Sequence, residues 1–376
     1  MKGAQHLGLI FGGSSVEHEV SVSSARGVAS ALRDTPLDCT PIAVTGDGRW
    51  LGPDLSKRIL ESDRRRAEPL VGEDDGWSVV LRPGGGPLLQ VGPAGETMPL
   101  TVDLLFPLIH GWGGEDGRLQ GALELAGLPY VGCGVAASAV AMDKILTRTV
   151  LDAHGIPGVR WIALDRYRAG EDAAVIEGRV AERLGYPVFV KPANGGSSVG
   201  ISRVTGAGEL DLALQTALEC DSRVIVEAAV ADAREIECAV LGNEAPEAAV
   251  LGEVVPSGEF YDYSAKYIDG TSQLLIPAEL KPEIAQEITK LALEAYRALD
   301  LAGFARVDFL VERDGGRVYL NEVNSLPGFT PISMFPKLWE ESGLPYGALI
   351  ERLVELALDR RQSMRRRRVR WKEEPI

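Results

Sequence analysis

Near the carboxyl end, the runs Ala305-Arg306-Val307-Asp308-Phe309-Leu310-Val311 and Val318-Tyr319-Leu320-Asn321-Glu322-Val323-Asn324 flank Asp314-Gly315-Gly316. Both runs alternate in the manner of strands, and a three-residue loop with glycine at the left-handed position joins them as a hairpin. In that register Asp308 faces Glu322 and Arg306 faces Asn324, with residue 313 opposite 317. Alternation puts those four side chains on one face and Val307, Phe309, Val311, Tyr319 and Val323 on the other. Directly opposed side chains have Cβ atoms about 4.5–5.5 Å apart, where like charges weaken a sheet. Two carboxylates and an amide oxygen at that spacing call for a hard cation. Mg²⁺ suits them, because it takes one or two carboxylates and fills its remaining positions with water and nucleotide phosphates. The plainer alternative is a surface hairpin with its acids in solvent, which leaves Arg306 and Asn324 on the same face as coincidence.

Two glycine-rich segments could bind charged groups. Val188-Phe189-Val190-Lys191-Pro192 is an apolar strand ending in a lysine, and it runs into Ala193-Asn194-Gly195-Gly196-Ser197-Ser198-Val199-Gly200. Small residues let backbone N–H groups close around an oxyanion, and a lysine at the end of a buried strand reaches toward an anion. No Gly-Lys-Ser/Thr is present and a strand follows, so this is not a P-loop. A flexible turn between strands is the bland alternative. The second segment, Gly12-Gly13-Ser14-Ser15-Val16-Glu17-His18-Glu19, joins the first strand to a helix. A helix N-terminus can bind phosphate, but Glu17 and Glu19 would repel it, which makes an ammonium group the better ligand for Glu17. The equal alternative is that these acids simply complement the helix dipole.

The elements that must position these groups alternate along the chain. An apolar strand at 7–11, a helix over 21–32, a strand at 39–44, a polar Gly/Pro-rich stretch to about 98 and an apolar run at 102–109 begin a small α/β domain with a mostly parallel sheet. Helices follow at 119–126 and 136–150. Strands are predicted at 159–164, 187–190, 201–204 and 223–226, with helices at 172–184 and 207–219. Strands at 235–241 and 248–255, a polar loop at 256–276, a helix at 282–299, the hairpin and a last helix at 346–360 complete the pattern. Of 376 residues, 54 are acidic and 39 basic, a formal net charge of −15, which argues against nucleic acid as a partner. The four cysteines show no metal-binding or disulfide spacing and suit a reducing cytoplasm. No apolar run approaches the ~18–20 residues of a membrane helix, and the start does not read as a signal peptide. The arginine run at 365–368 reads as a solvated helix end.

Taken together, the motifs resemble the D-alanine–D-alanine ligases of the ATP-grasp superfamily. The matching segments are GGSSVEHEVS (12–21), HGWGGEDGRLQG (110–121), MDK (142–144), VKPANGGSSVG (190–200), REIE (234–237), EFYDYSAKY (259–267), ARVDF (305–309) and NEVNSLPGFT (321–330). They occur in the family's order over nearly the whole chain. NEVN followed by PG indicates only ATP-grasp, while EHEVS, HG…GEDG and YSAKY are far more specific.

The resemblance implies a three-domain ATP-grasp architecture of mixed α/β and α+β class. Its parts would be a Rossmann-like N-terminal domain at 1–140, a central subdomain at 141–228, a C-terminal subdomain at 229–360 with a lid at 257–275, and a basic tail at 361–376. It implies ATP-dependent joining of two D-alanine molecules through a D-alanyl phosphate, for the bacterial cell wall, by a cytoplasmic homodimer without membrane attachment. By the same carry-over, Lys144, Lys191, Ser198 and Lys266 contact the nucleotide, Glu227 and Glu235 its adenine and ribose. Asp308, Glu322 and Asn324 hold two Mg²⁺ or Mn²⁺ ions. Glu17 takes the first alanine's ammonium, His110 lines the substrate site, and Ser333 with the Met334 backbone binds the second carboxylate. Arg306 and the Gly328 N–H stabilise the tetrahedral oxyanion, and Glu17, Ser197 and Tyr267 form a hydrogen-bonded trio. Tyr267 favours an amine as second nucleophile over D-lactate. Some relatives differ in carrying glutamate at the position of Gly195, and lysine and tryptophan at those of Ala228 and Ala229. A D-lactate or D-serine ligase, another ATP-grasp carboxylate–amine ligase, and a non-catalytic nucleotide-binding protein are the competing readings.

Overall fold

The computed structural model describes residues 5–165, 173–255 and 273–365. Continuous apolar runs build the first sheet. Strands β1 (His6–Gly12), β2 (Asp38–Val44) and β6 (Leu104–Pro107) pair in parallel in the order β2-β1-β6. Leu7, Leu9, Ile10 and Phe11 are all fully buried, as expected of a parallel strand covered on both faces. Helix α1 (His18–Leu32) lays Val22, Ala25 and Val28 into the core that Leu7 and Phe11 enter.

The stretch before residue 98 is more ordered than its composition suggests. It holds α2 (Pro53–Glu61) and a small antiparallel sheet of β3 (Ser78–Val80), β4 (Leu88–Val91) and β5 (Thr97–Leu100). Strands of three or four residues carry too little alternation to stand out among glycines and prolines. After α3 (Arg118–Leu125), the helix expected over 136–150 proves to be two, α4 (Val135–Met142) and α5 (Lys144–Ala153). Asp143 breaks it. Its backbone is extended, and its Oδ1 accepts the N–H groups of Ile145 and Leu146 at 3.1 and 3.0 Å, an N-cap that restarts the helix at Lys144.

Two antiparallel sheets follow. β7 (Trp161–Asp165), β8 (Val188–Pro192), β9 (Ser202–Val204) and β10 (Arg223–Ala228) run in the order β7-β10-β8-β9, covered by α6 (Ala173–Arg183) and α7 (Leu210–Cys220). β11 (Ala233–Gly242), β12 (Glu247–Val255), β13 (Gln273–Leu275), β14 (Gly303–Glu312) and β15 (Val318–Asn324) run in the order β13-β12-β11-β14-β15. Helix α8 (Pro282–Ala298) covers this larger sheet. Helix α9 (Met334–Glu341), which periodicity did not signal, and α10 (Tyr346–Arg365) end the chain's described part. Phe329 packs edge-on against Phe106 of β6 and Phe304 of β14, with centroids 5.6 and 5.7 Å apart. That shared core fixes the first sheet against the last.

The hairpin β14–β15 has the predicted register where it matters and departs from it beyond. Arg306 faces Asn324 and Asp308 faces Glu322, but Phe309 then pairs with Leu320 and Leu310 with Tyr319. Asn321 is the extra residue of a bulge, and the connecting loop takes four residues, 313–316, instead of three. A one-residue slip turns side chains to the opposite face. Val318 and Leu320 therefore enter the core beside Phe309 and Val311, while Tyr319, predicted inward, donates its hydroxyl to Glu312 at 3.0 Å on the other side.

Candidate active site

A cleft of about 1360 Å³ runs between the sheets, and Glu17, Lys191, Arg306, Asp308, Glu322 and Ser333 are among its walls. Its floor is the alternating face of β14. Glu237 on β11 faces Asp308, and Asp308 faces Glu322, so three carboxylates stand abreast on neighbouring strands. Arg306 forks onto Asp308 with two N–H···O bonds of 2.7 Å and approaches Glu237 at 3.0 Å. Burial alone would lower this guanidinium's pKa, and Asp308 and Glu237 raise it well above its ordinary value. It stays charged.

Among the described residues of the cleft floor, one guanidinium against three carboxylates leaves an excess of negative charge. Asn324 also sits there, its amide donating to Asp308 at 2.9 Å. Hard oxygen donors with surplus negative charge fit Mg²⁺ or Mn²⁺. Among the described residues no group of three His, Cys, Asp or Glu side chains converges as a closed metal cage. A cation here would therefore rest on Asp308, Glu322 and the Asn324 amide oxygen, and complete its shell from a ligand.

The opposite wall comes from the four-stranded sheet. In the loop after β8, Ser197 and Ser198 adopt left-handed backbone with φ of 50° and 60°, a strain of order 1–3 kcal/mol each that clusters at ligand sites. The Lys144 ammonium donates to the Gly195 carbonyl at 2.7 Å, so the restart of α5 anchors this loop. Lys191 and Ser198 line the cleft, as does Glu235 on β11. Glu227, expected at adenine, is buried beneath that surface, where its carboxylate pairs with Lys191 at 2.6 Å and Arg148 at 3.3 Å. Burial alone would push its carboxyl up; Lys191 and then Arg148 reverse this and bring it from 4.5 to about 2.

The third wall belongs to the first sheet. Glu17, at the start of α1, is buried and accepts the Ser197 hydroxyl at 2.6 Å. A Cβ on Gly196 would come within 2.9 Å of Glu17 Oε2, so a larger residue there would displace that carboxylate. His110, predicted to touch substrate, has both ring nitrogens engaged with protein groups. Nδ1 donates to the Leu326 carbonyl at 3.1 Å, and Nε2 accepts from the Ser24 hydroxyl at 3.0 Å. Burial lowers its pKa against the opposing pull of Glu17, so the ring is neutral and holds a loop. Glu115, in the same motif but not singled out from sequence, accepts the Gly111 N–H at 2.7 Å and the Leu326 N–H at 3.2 Å. Burial, and then the charge of Glu17, raises its carboxyl from 4.5 to about 8. Together these two side chains fix the peptide that leads into Gly328, which lines the cleft. Ser333 stands at the N-cap position of α9, its Oγ 2.7 Å from the Thr330 hydroxyl, Met334 opens that helix, and both residues line the cleft.

The structure brings residues named from the sequence onto all three walls of the cleft, and Glu237, Arg148 and Glu115 were not among those named. Glu237 lies within the REIE motif, and two-residue spacing from Glu235 on one strand face was the available signal. Lys266 and Tyr267 lie outside the described residues, as does most of the lid predicted over 257–275.

Two antiparallel sheets that enclose a lysine-lined cleft above opposed carboxylates define an ATP-grasp enzyme. The models for the D-ala D-ala ligase N-terminus and C-terminus match residues 6–133 and 150–355. The chain belongs to the D-alanine–D-alanine ligase family. It is 47% identical over 354 residues to a D-alanine–D-alanine ligase of Deinococcus radiodurans, covering 94% of this chain and 98% of that one. It is 44% identical over 358 residues to one of Geobacillus thermodenitrificans, covering 95% and 96%. Among solved structures, the D-alanine–D-alanine ligase of Coxiella burnetii superposes with a TM-score of 0.83 at 36% identity, covering 96% of both chains. The VanG D-Ala:D-Ser ligase of Enterococcus faecalis does so with a TM-score of 0.79 at 34% identity, covering 94% of this chain and 99% of that one.

Proposed function

We propose that this chain joins two D-alanine molecules into D-alanyl-D-alanine, converting ATP to ADP and phosphate. One observation carries the reading: a single cleft presents a buried carboxylate (Glu17), ammonium groups (Lys144, Lys191), a carboxylate pair with an amide (Asp308, Glu322, Asn324) and a helix N-terminus (Ser333, Met334). These match, in turn, an amino-acid ammonium, phosphates, a divalent cation and a substrate carboxylate.

The chemistry follows from charge. The carboxylate of the first D-alanine, its ammonium held by Glu17, attacks the γ-phosphate, and ADP leaves. Both partners are anionic, and Lys144 and Lys191 offset their repulsion. Mg²⁺ or Mn²⁺ at Asp308, Glu322 and Asn324 would add charge neutralisation to the transferring phosphoryl group. The amine of the second D-alanine, its carboxylate at the start of α9, then attacks the acyl carbon and phosphate departs. That amine must first lose a proton, and the Ser197–Glu17 pair is the acceptor within the described site. Arg306 and the Gly328 N–H stabilise the developing oxyanion, each such donor contributing about 3 kcal/mol. Ser198 and Glu235 hold phosphate and ribose, and Lys266 and Tyr267 complete the site by resemblance. Among the described residues no helix is long and apolar enough to cross a membrane. A cytoplasmic homodimer is part of the same reading.

The test is phosphate release from ATP and Mg²⁺ with D-alanine, L-alanine, D-serine and D-lactate in turn, with products identified by mass. D-alanyl-D-alanine formed in stoichiometry with ADP supports the proposal. Phosphate release with D-serine or D-lactate paired to D-alanine, in preference to D-alanine alone, overturns the substrate assignment.

A further inference from the structure

Arg148 has no place in the mechanism above, yet it is among the largest fully buried side chains of the molecule. It projects from the buried face of α5, where arginine is costly unless its donors are satisfied. Its Nε donates to Glu227 Oε1 on β10 at 3.3 Å. Its Nη2 donates to two consecutive carbonyls of β15, those of Leu320 and of Asn321, the latter at 2.8 Å. β15 is an edge strand of its sheet, and on that side Leu320 forms an isolated parallel bridge with Gly158. The Leu320 N–H, on the same edge, donates to the Pro157 carbonyl at 2.9 Å.

The two ends of this strut matter differently. Glu227 holds the Lys191 ammonium at 2.6 Å. Asn321 is the bulge residue that restores the register in which Glu322 faces Asp308 and Asn324 faces Arg306. Without the bulge, the register beyond Asp308 would carry Glu322 out of line with Asp308. The third corner of the guanidinium, Nη1, packs on Gly158, where an added Cβ would overlap it. Gly158 has no left-handed backbone, so room for Arg148 is the reason for glycine there.

We infer that Arg148 is a positioning residue of the nucleotide and metal site: one buried guanidinium sets Glu227, and through it Lys191, while pinning the bulge that aims Glu322 and Asn324. The inference rests on the reading of Lys191 as a phosphate group's partner and of Glu322 as a cation ligand. Arginine is needed because a fork can serve a carboxylate and two carbonyls at once, whereas lysine offers a single point charge.

The experiment measures two affinities on the full chain: ADP without divalent cation by calorimetry, and Mn²⁺ in the ADP complex by electron paramagnetic resonance. Arg148→Lys keeps the charge beside Glu227, so ADP affinity stays within about twofold, while Mn²⁺ affinity falls about 10-fold or more, the usual effect of losing a partner behind a metal ligand. Arg148→Met lowers both. Gly158→Ala, which displaces the guanidinium without removing it, lowers Mn²⁺ affinity in the same direction and serves if Arg148→Met does not fold. Folded variants, with unfolding midpoints near that of the unaltered chain, whose two affinities are unchanged overturn the proposal. Glu322→Gln separates the layers. If it lowers Mn²⁺ affinity and the Arg148 and Gly158 variants do not, the metal reading stands and this inference fails; if it has no effect, the metal reading itself fails.

Discussion

Arg306 offers the sharpest single perturbation, because its neighbours set the size of the effect. Its side chain is 17% exposed, between Asp308 at 12% and Glu237 at 9%. It supplies two hydrogen bonds of 2.7 Å to the former and an ion pair of 3.0 Å to the latter. Arg306→Ala therefore removes the guanidinium that pairs with two buried carboxylates, Asp308 and Glu237, on adjacent strands. Breaking a buried pair in this way costs about 3–5 kcal/mol, well above the loss of an exposed charge. Turnover falls as well, about a hundredfold for one oxyanion donor. The stability loss separates this account from one in which Arg306 serves transition-state charge alone. Urea unfolding in EDTA shows a lower midpoint for the variant. Added MgCl₂ narrows the gap, because binding stabilises by RT ln(1 + [L]/Kd) and the variant's larger charge excess favours the cation. Equal midpoints in EDTA would refute the reasoning, since the guanidinium would then hold nothing together.

Three further outcomes follow from distances and charge. Gly196→Ala pushes a methyl group to within 2.9 Å of Glu17 Oε2; the displacement lowers kcat/KM for D-alanine by an order of a hundredfold, and an unchanged value under steady-state assay contradicts it. Glu115 holds its proton in the folded chain up to about 8 and in the unfolded chain only to 4.5. Folding therefore binds a proton between those values, and Glu115's contribution to stability is lost as pH rises through that window. Glu115→Gln removes the dependence, so the difference in unfolding free energy between the two proteins falls with pH; a flat difference counts against the assignment. Glu227 has the opposite sign: with its carboxyl lowered from 4.5 to about 2, its contribution is present above 4.5 and lost as pH falls toward 2. Lys191→Met raises that carboxyl, so acid unfolding followed by circular dichroism begins at higher pH than in the unaltered protein.

Much of the site was legible because strand alternation and hairpin register are local. The opposition of Asp308 to Glu322 needed only two runs and a turn, and the bulge and the longer loop cancel at the end of the hairpin that carries the chemistry. The bulge itself was invisible: Asn321 is polar and suits either an extra position or a paired one. Tyr319 was misplaced for the same reason. The break at Asp143 did carry a signal, an N-cap residue just before a new helical turn, but unbroken apolar periodicity on both sides outweighed it. Arg148 could not be read, since an arginine on a helix is ordinarily solvated and its burial depends on β10 and β15, distant in sequence. Glu115 and His110 face the same limit. Their partner, Leu326, lies more than two hundred residues away, with |i−j| of 211 and 216.

The account turns on a divalent cation held between β14 and β15 against the phosphates of a nucleotide. A crystal of the full chain grown with ADP and MnCl₂, with diffraction recorded at the manganese absorption edge, tests it most directly. An anomalous peak at bonding distance from both the Asp308 and Glu322 carboxylates, with Lys191 directed at the nucleotide phosphates, is the predicted result. Nucleotide bound with manganese elsewhere, and no anomalous peak beside Asp308, would contradict it.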